Sequence, residues 1–205
     1  MRAVLWCNGK TPSKEVMESV ISPGTPVFGV DGGADKASEA GVVVDGVLGD
    51  LDSCDRECWR DKAVEICDQT KSDLAKSISY LVEAGYEQIE IIGADGGSHQ
   101  HILGNWGALV ESPKGPRLRI HHENSISRRL DPGETFKMRF GEGEVFSIFS
   151  FCPGRVWVSG ARWSLSGDEV SFSTRGLHNE GTGEEVSVEA EVVIVIIYPR
   201  VHSSS

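Results

Sequence analysis

Four aspartates stand where they could act together. Asp31 lies in Gly29-Val30-Asp31-Gly32-Gly33-Ala34, Asp50 and Asp52 lie in Gly49-Asp50-Leu51-Asp52-Ser53, and Asp73 ends Asp68-Gln69-Thr70-Lys71-Ser72-Asp73. Carboxylates are hard oxygen donors that suit Mg²⁺, and glycines beside them leave bare backbone for a polyphosphate to approach. On an extended backbone, Asp50 and Asp52 leave the same side of the chain, and two close carboxylates share either a proton or a cation. At any single position the competing explanation is that Asp and Gly make turns after strands. Repetition at successive strand ends favours a shared site.

A sheet has to bring these groups together. Short apolar runs precede each of them: Val27-Phe28, then Val42-Val43-Val44 and Val47-Leu48, then Ala63-Val64-Glu65-Ile66-Cys67. Such runs read as parallel strands buried on both faces, and in open parallel sheets the ligand crevice lies outside the carboxyl ends of the strands. Residues 3–7 predict a first strand. Thr11 as N-cap with Pro12 at the first helical position predicts a helix with Val16, Met17, Val20 and Ile21 on one face. Ala34, Ala37 and Ala40 predict a short helix close to the sheet. Residues 55–62 read as a charged surface turn with Trp59 packed inward. Ser72 caps a helix whose stripe is Leu74, Ile78, Leu81 and Val82, with Gly85 as its stop. A strand over 89–92 runs into Gly93-Ala94-Asp95-Gly96-Gly97. The helix that follows carries Ile102, Leu103, Trp106, Leu109 and Val110 on one face, and its glycine-rich start could offer N–H groups to an anion. Residues 117–120 predict the last strand of this unit.

After Asn124 the helical pattern stops. Short strands are predicted over 136–140, 145–151, 155–159, 170–173, 186–188 and 192–198, punctuated by Gly, Pro, Ser and Asp. The expected fold is α/β plus all-β: a mostly parallel α/β/α sheet domain over 1–123 that binds nucleotide and Mg²⁺, followed by an antiparallel β-sandwich over 124–205.

The formal net charge is −11 and the isoelectric point about 5.0. That argues against a nucleic-acid or anionic-membrane surface but not against ATP, because Mg²⁺ can bridge acids to phosphates. Residues 1–7 are too short for a secretory leader, and the longest apolar run, 192–198, has strand length, so a cytoplasmic location is expected. Five cysteines without framework spacing read as reduced thiols, and Cys54-x-x-x-Cys58 lacks the second pair that zinc requires. Gly9-Lys10-Thr11 has the tail of a P-loop, but Val4 stands where its first glycine belongs. His99, His101 and the His121-His122 pair lack a third ligand at metal spacing and read as surface or capping residues. There is no Gly-x-Ser-x-Gly elbow, and the carboxylates of a glycosidase normally meet across a cleft rather than within one tripeptide.

The succession Asp31-Gly32-Gly33-Ala34, Gly49-Asp50-Leu51-Asp52-Ser53, then Asp68-Gln69-Thr70-Lys71-Ser72-Asp73 with Lys76 beyond, resembles the thiamine pyrophosphokinase family in order and spacing. The resemblance runs through nearly the whole chain. It implies an ATP-dependent diphosphotransferase that moves the β,γ-pyrophosphoryl group to the thiamine hydroxyl, giving thiamine diphosphate and AMP. It also implies that Asp31, Asp50, Asp52 and Asp73 are catalytic and hold Mg²⁺, with one of them taking the hydroxyl proton. Asn8, Gly32, Gly33, Ser53, Asp68, Gln69, Lys71, Lys76, Gly96, Gly97 and His101 become the nucleotide- and phosphate-binding set. In the second domain, Gly160-Ala161-Arg162-Trp163-Ser164-Leu165 and Arg175-Gly176-Leu177-His178-Asn179-Glu180 resemble the family's Gly-x-x-(Tyr/Trp)-x-Leu and Gly-Leu-Ser-Asn-Glu elements. The family uses that sandwich to form a homodimer and to hold the thiamine ring between subunits. Trp163 would be the stacking aromatic, with His178 and Asn179 beside it. The alternative for Trp163 is a core aromatic.

The pattern breaks in two places. Where the family reads Gly-Gly-Arg-x-Asp-His, this chain has Gly96-Gly97-Ser98-His99-Gln100-His101. The glycines, His101, Leu103 and Asn105 fit, but serine cannot replace the charge of a bidentate phosphate clamp. His178 stands where the family has serine. Two other functions therefore stay open: a pyrophosphokinase for another heterocyclic alcohol such as a pterin, and a non-catalytic thiamine- or nucleotide-binding module.

Overall fold

β-Branched and aliphatic runs make the strands on which the first half of the chain is built. The computed structural model describes residues 1–200, and the chain divides into two units, Met1–Glu123 and Asn124–Ser205. In the first, β1 (Arg2–Trp6), β2 (Val27–Val30), β3 (Gly46–Gly49), β4 (Ala63–Glu65), β5 (Gln88–Ile92) and β6 (Arg117–His121) pair in parallel, in the order β6-β5-β1-β2-β3-β4. The order reverses between β1 and β5. At such a switch point the loops leaving adjacent strands diverge, and a crevice opens at the carboxyl edge.

Four helices complete this unit. α1 (Lys14–Val20) starts later than Thr11-Pro12 predicts. Its cap is Ser13, whose hydroxyl accepts from the Val16 N–H at 3.3 Å, while Glu123 Oε1 takes the Ser13 N–H at 3.0 Å. α2 (Gly33–Glu39) buries Ala34 and Ala37. α3 (Asp73–Glu83) begins where Ser72 predicts, with the Ser72 hydroxyl accepting from Ala75 N–H at 3.3 Å and Leu74, Ile78 and Leu81 buried. α4 (His99–Glu111) departs from its apolar stripe: Ala108 and Leu109 are buried, but Leu103 is 62% exposed. Its first two turns wall a cleft instead of packing on the sheet. Residues 42–44 are not a strand; only Val44 of the run is buried and β3 starts at Gly46. Trp59 is buried as predicted, its indole N–H donating to Asp35 at 2.6 Å. No helix among the described residues is long and apolar enough to cross a membrane.

In the second unit, β7 (Ser125–Leu130), β9 (Val145–Ser150), β12 (Asn179–Glu180) and β14 (Ile194–Pro199) form one antiparallel sheet in the order β12-β9-β14-β7. β8 (Phe136–Arg139), β10 (Gly154–Ser159), β11 (Leu165–Val170) and β13 (Glu185–Ala190) form the other, in the order β11-β10-β13-β8. Their inner faces share one core that includes Phe136, Phe140, Phe146, Ile148, Val158, Val188 and Ile196, with Phe140 and Phe146 stacked at 4.8 Å. The fold is α/β followed by an antiparallel β-sandwich. β7 was not predicted, because Arg128 and Arg129 interrupt any apolar run; Glu134 and Asp131 pair with them. The strand predicted over 170–173 instead ends at Val170, after which the chain turns and Arg175 reaches back to Asp168 at 2.7 Å.

A carboxylate sits in the middle of the parallel sheet. Glu90 on β5 is fully buried and bonds to Arg119 and His121 on β6 and to Gln88, with His121 Nε2 at 2.6 Å. His121 is therefore a buried partner of Glu90, not the surface residue its sequence context predicts, while His122 pairs with Asp95. Burial alone would raise the Glu90 pKa, but the His121 and Arg119 hydrogen bonds outweigh it and hold the carboxyl at about 2, against 4.5 ordinarily. A depressed folded-state pKa stabilises fully above the ordinary value, and that stability drains away as pH falls toward the folded value. Glu90→Gln should cost about 3–5 kcal/mol near neutral pH, the usual penalty for removing one partner of a buried pair. It should also flatten the loss of stability between pH 4.5 and 2. Urea unfolding across that range measures both effects, and equal stability of the two proteins at neutral pH would refute the assignment.

Candidate active site

The acidic site is built from the ends of β2 and β3 and the start of α3. Asp31 follows β2 with φ 48, and its N–H donates to Leu48 O at 2.9 Å, tying it to β3. Its Oδ1 accepts from Ser53 N–H at 3.2 Å. Asp50 follows β3 and donates its N–H to Asp73 Oδ1 at 3.2 Å. Gly49, with φ 145, allows this closeness: a Cβ there would stand 3.2 Å from Asp73 Oδ1 and 3.3 Å from Asp31 Cβ. One carboxylate oxygen from each of Asp31, Asp50 and Asp73 lies within 4.8 Å of the others.

Asp52 is outside this trio. Leu51 is left-handed, with φ 62, which breaks the extended backbone that would have placed Asp50 and Asp52 side by side. The Asp52 carboxylate instead accepts from Ser53 Oγ at 2.7 Å and lines the neighbouring cleft.

Lys76 lies beneath the acids, its side chain 3% exposed, with Nζ 2.6 Å from Asp73 Oδ1 and 3.7 Å from Asp50 Oδ2. Burial works to lower its pKa, but Asp73, then Asp50, outweigh this and hold the ammonium charged above its ordinary range. Burial raises the Asp31 pKa; the Ser53 hydrogen bonds oppose that rise, and the charges of Asp52 and Asp73 add to it. Lys76 is thus engaged by the carboxylates of Asp73 and Asp50.

Beside the acids a cleft of about 610 Å³ occupies the switch point, lined by Asn8 and Gly9 after β1, Gly93, Gly96 and Gly97 after β5, and Gln100, His101 and Asn105 of α4. Asp31, Ser53 and Asp73 complete its acidic wall. Gly9 N–H donates to Gly93 O at 2.8 Å and Lys10 N–H to Asp95 O at 2.6 Å, so the two loops are zipped together. Gly33 passes so close to β1 that a Cβ would collide with the Trp6 carbonyl, and one on Gly32 would stand 2.5 Å from Asn8 Nδ2. Asp68, Gln69 and Lys71 lie exposed on the loop before α3, outside the cleft lining. Asp68 accepts there from the Thr70 hydroxyl and N–H at 2.6 and 2.8 Å.

Two cations that sequence reasoning missed shape the loops. Arg56 donates to the carbonyls of Leu51 and Asp50 at 2.7 and 2.8 Å, and Lys36 Nζ to those of Asn8 and Gly9 at 2.8 and 2.6 Å. Both act on backbone, which leaves no side-chain pattern in the sequence. All five cysteines are free. Burial pushes Cys7, in the cleft wall, up to about 12, and burial with Asp31 and Asp35 pushes Cys54 up to about 11, so neither is a thiolate nucleophile.

In the second unit, Asn179 is buried and grips the backbone of Trp163: Oδ1 accepts its N–H at 3.1 Å and Nδ2 donates to its carbonyl at 2.8 Å. Trp163 is 51% exposed and is not a core aromatic. The Arg162 guanidinium lies 4.9 Å from its ring centroid and pairs with Glu180 at 2.7 Å. His178 is left-handed, with φ 57, and its N–H donates to Ser147 Oγ at 3.1 Å.

A parallel sheet with carboxylates and glycine loops around its switch-point cleft, followed by an antiparallel sandwich, defines a two-unit α/β and β protein with an acidic ligand site. Residues 18–121 match the thiamin pyrophosphokinase catalytic domain, and the chain belongs to the thiamin pyrophosphokinase family. The fold is similar to that of a thiamine pyrophosphokinase from Bacillus subtilis, at 18% identity and a TM-score of 0.80, covering 97% of this chain and 99% of that one. A thiamin pyrophosphokinase from Geobacillus thermodenitrificans superposes with a TM-score of 0.77 at 20% identity, covering 100% and 99% of the two chains. For yeast thiamin pyrophosphokinase the values are 0.75 and 11%, over 97% and 86%. No curated protein matches the chain in sequence.

The geometry separates the four aspartates. If the trio holds Mg²⁺, Asp50→Asn and Asp73→Asn should each weaken its binding by at least about tenfold, since affinity for hard cations follows ligand charge, whereas Asp52→Asn should change it by less than about threefold. Calorimetric titration with Mg²⁺ measures this. A larger loss from Asp52→Asn than from Asp50→Asn would show that the ion sits elsewhere.

Proposed function

We propose that the chain is a thiamine pyrophosphokinase that transfers the β,γ-pyrophosphoryl group of ATP to the thiamine hydroxyl, releasing AMP, as a cytoplasmic homodimer. The observation that carries this reading is the meeting of Asp31, Asp50 and Asp73 within 4.8 Å at the switch-point cleft of a family member. Their donor set, all carboxylate oxygen, fits Mg²⁺, which when bound would neutralise charge on the polyphosphate. The loops after β1 and β5, held by their mutual hydrogen bonds, orient the nucleotide. Lys76 pairs with Asp73 and Asp50 and holds them in place. One aspartate accepts the hydroxyl proton as the thiamine oxygen bonds to the β-phosphorus and the bond from that phosphorus to the α-phosphate oxygen breaks. Catalysis is then positioning and charge stabilisation, as in other phosphoryl transfers. In the dimer, Trp163 stacks on the pyrimidine of thiamine, with His178 and Asn179 beside it.

One observation favours a second reading. No arginine or lysine side chain lines the cleft among the described residues, and Ser98 and Gln100 stand where the family carries a charged pair. That suits a thiamine- or nucleotide-binding module without turnover. The experiment is to incubate the protein with Mg²⁺-ATP and either thiamine or a pterin alcohol and to measure AMP. Thiamine-dependent AMP is the expected result. AMP with the pterin alone transfers the reaction to another substrate, and thiamine binding without AMP leaves the module.

The Trp163 role has its own test. Trp163→Ala should weaken thiamine binding by about 1–3 kcal/mol, the range for an aromatic stacking platform, and leave Mg²⁺-ATP affinity close to the parent's. Unchanged thiamine affinity by calorimetry would remove Trp163 from the substrate site.

A further inference from the structure

The cleft is short of positive charge. The cations around it are already engaged: Lys76 by Asp73 and Asp50, Lys36 by the carbonyls of Asn8 and Gly9, and Arg56 by the carbonyls of Leu51 and Asp50 and by Glu65. A polyphosphate withdrawn from water needs charge-assisted donors, and Ser98 offers none in place of an arginine.

Lys10 is the exception. It follows Asn8 and Gly9, which line the cleft. Its N–H is bonded to Asp95 O at 2.6 Å, and a Cβ placed on Gly96 would stand 3.3 Å from Lys10 Cβ. The side chain therefore starts at the rim, against the glycine loop that leaves β5. The residue is exposed, and its ammonium has no hydrogen-bond or ion-pair partner among the described residues. Gly9-Lys10-Thr11 is not a P-loop. The N–H groups of Gly9 and Lys10 are taken by the carbonyls of Gly93 and Asp95, so this backbone cannot cradle a phosphate and only the side chain is available.

We propose that Lys10 is the phosphate-binding cation of this cleft, its ammonium meeting the β,γ-phosphate oxygens of a nucleotide from the side of the β5 loop and supplying the charge that Ser98 lacks. The proposal rests on the reading of the cleft as a Mg²⁺-nucleotide site. Lys71 is the rival. It is also exposed, but it lies on the loop before α3, where its charge acts on Asp68.

The test compares the parent with Lys10→Met, Lys10→Arg and Lys71→Met. Binding of Mg²⁺-ATP and of AMP is measured by calorimetry, and KM and kcat by AMP release. Lys10→Met should weaken Mg²⁺-ATP binding by about tenfold to a hundredfold, the usual effect of losing one charged hydrogen bond, with KM rising to match. AMP, which lacks the β- and γ-phosphates, should bind the variant as it binds the parent, and Lys10→Arg should recover most of the loss. If the parent binds Mg²⁺-ATP and Lys10→Met binds it equally well, Lys10 is overturned and the pyrophosphokinase reading stands. A loss confined to Lys71→Met has the same meaning. An equal loss for AMP marks damage to the loop and also overturns the proposal. A parent that binds no Mg²⁺-ATP overturns the reading of the cleft, and the role of Lys10 with it.

Discussion

Like charges resist being gathered, and the acidic site exists because a buried ammonium offsets that resistance. One oxygen from each of three carboxylates lies within 4.8 Å of the others, and Lys76 pairs with two of them. An ion withdrawn from water costs several kcal/mol unless it is paired, so lysine and acids hold one another in place. The Ser72 cap starts α3 so that Asp73 and Lys76, three residues apart, share a helix face. The missing Cβ of Gly49 lets Asp73 reach the end of β3. Arg56 pins the carbonyls of the turn that carries Asp50. Each of these features makes sense only around the same cluster of charge.

The fold could be read from the sequence where a pattern depends on near neighbours. The short apolar runs marked β1, β2, β3 and β5, and Ser72 before a helical stripe marked α3. The convergence of Asp31, Asp50 and Asp73 followed, because acids after parallel strands share one edge. Asp52 did not follow, since its direction depends on the left-handed φ of Leu51, a non-glycine residue with nothing to announce it. Thr11-Pro12 and Ser13 are equally good helix starts on paper; the distant Glu123 favours the second. β7 was hidden by arginines whose partners lie beyond the strand. The stripe on α4 gave an apolar side but not what it meets, and its first turns meet a cleft. Glu90 within Ile-Glu-Ile-Ile looked like an ordinary strand residue because its charge-bearing partners, Arg119 and His121, lie on another strand.

The cleft is held open by polar work on backbone groups. Lys36 gathers two carbonyls of the first loop, the Gly9 and Lys10 amides bond across to the β5 loop, and Asn105 donates to the Ala94 carbonyl at 3.0 Å. Backbone groups of both loops are thereby satisfied within the chain, so the loops are ordered before any ligand binds. Recognition is left to side chains and to the ends of helices.

The exposed indole of Trp163 is presented in a particular electrical state. Asn179 fixes its backbone at both the N–H and the carbonyl, and the guanidinium of Arg162 lies 4.9 Å from the ring centroid. A cation over an aromatic face draws on the ring's electron density. Under the proposed function, a guest on this indole shares that density with the guanidinium, so the plate suits the neutral pyrimidine of thiamine better than its cationic thiazolium. On that reading the tryptophan would be a polarised plate, selecting its guest by the sign of its charge as much as by flatness.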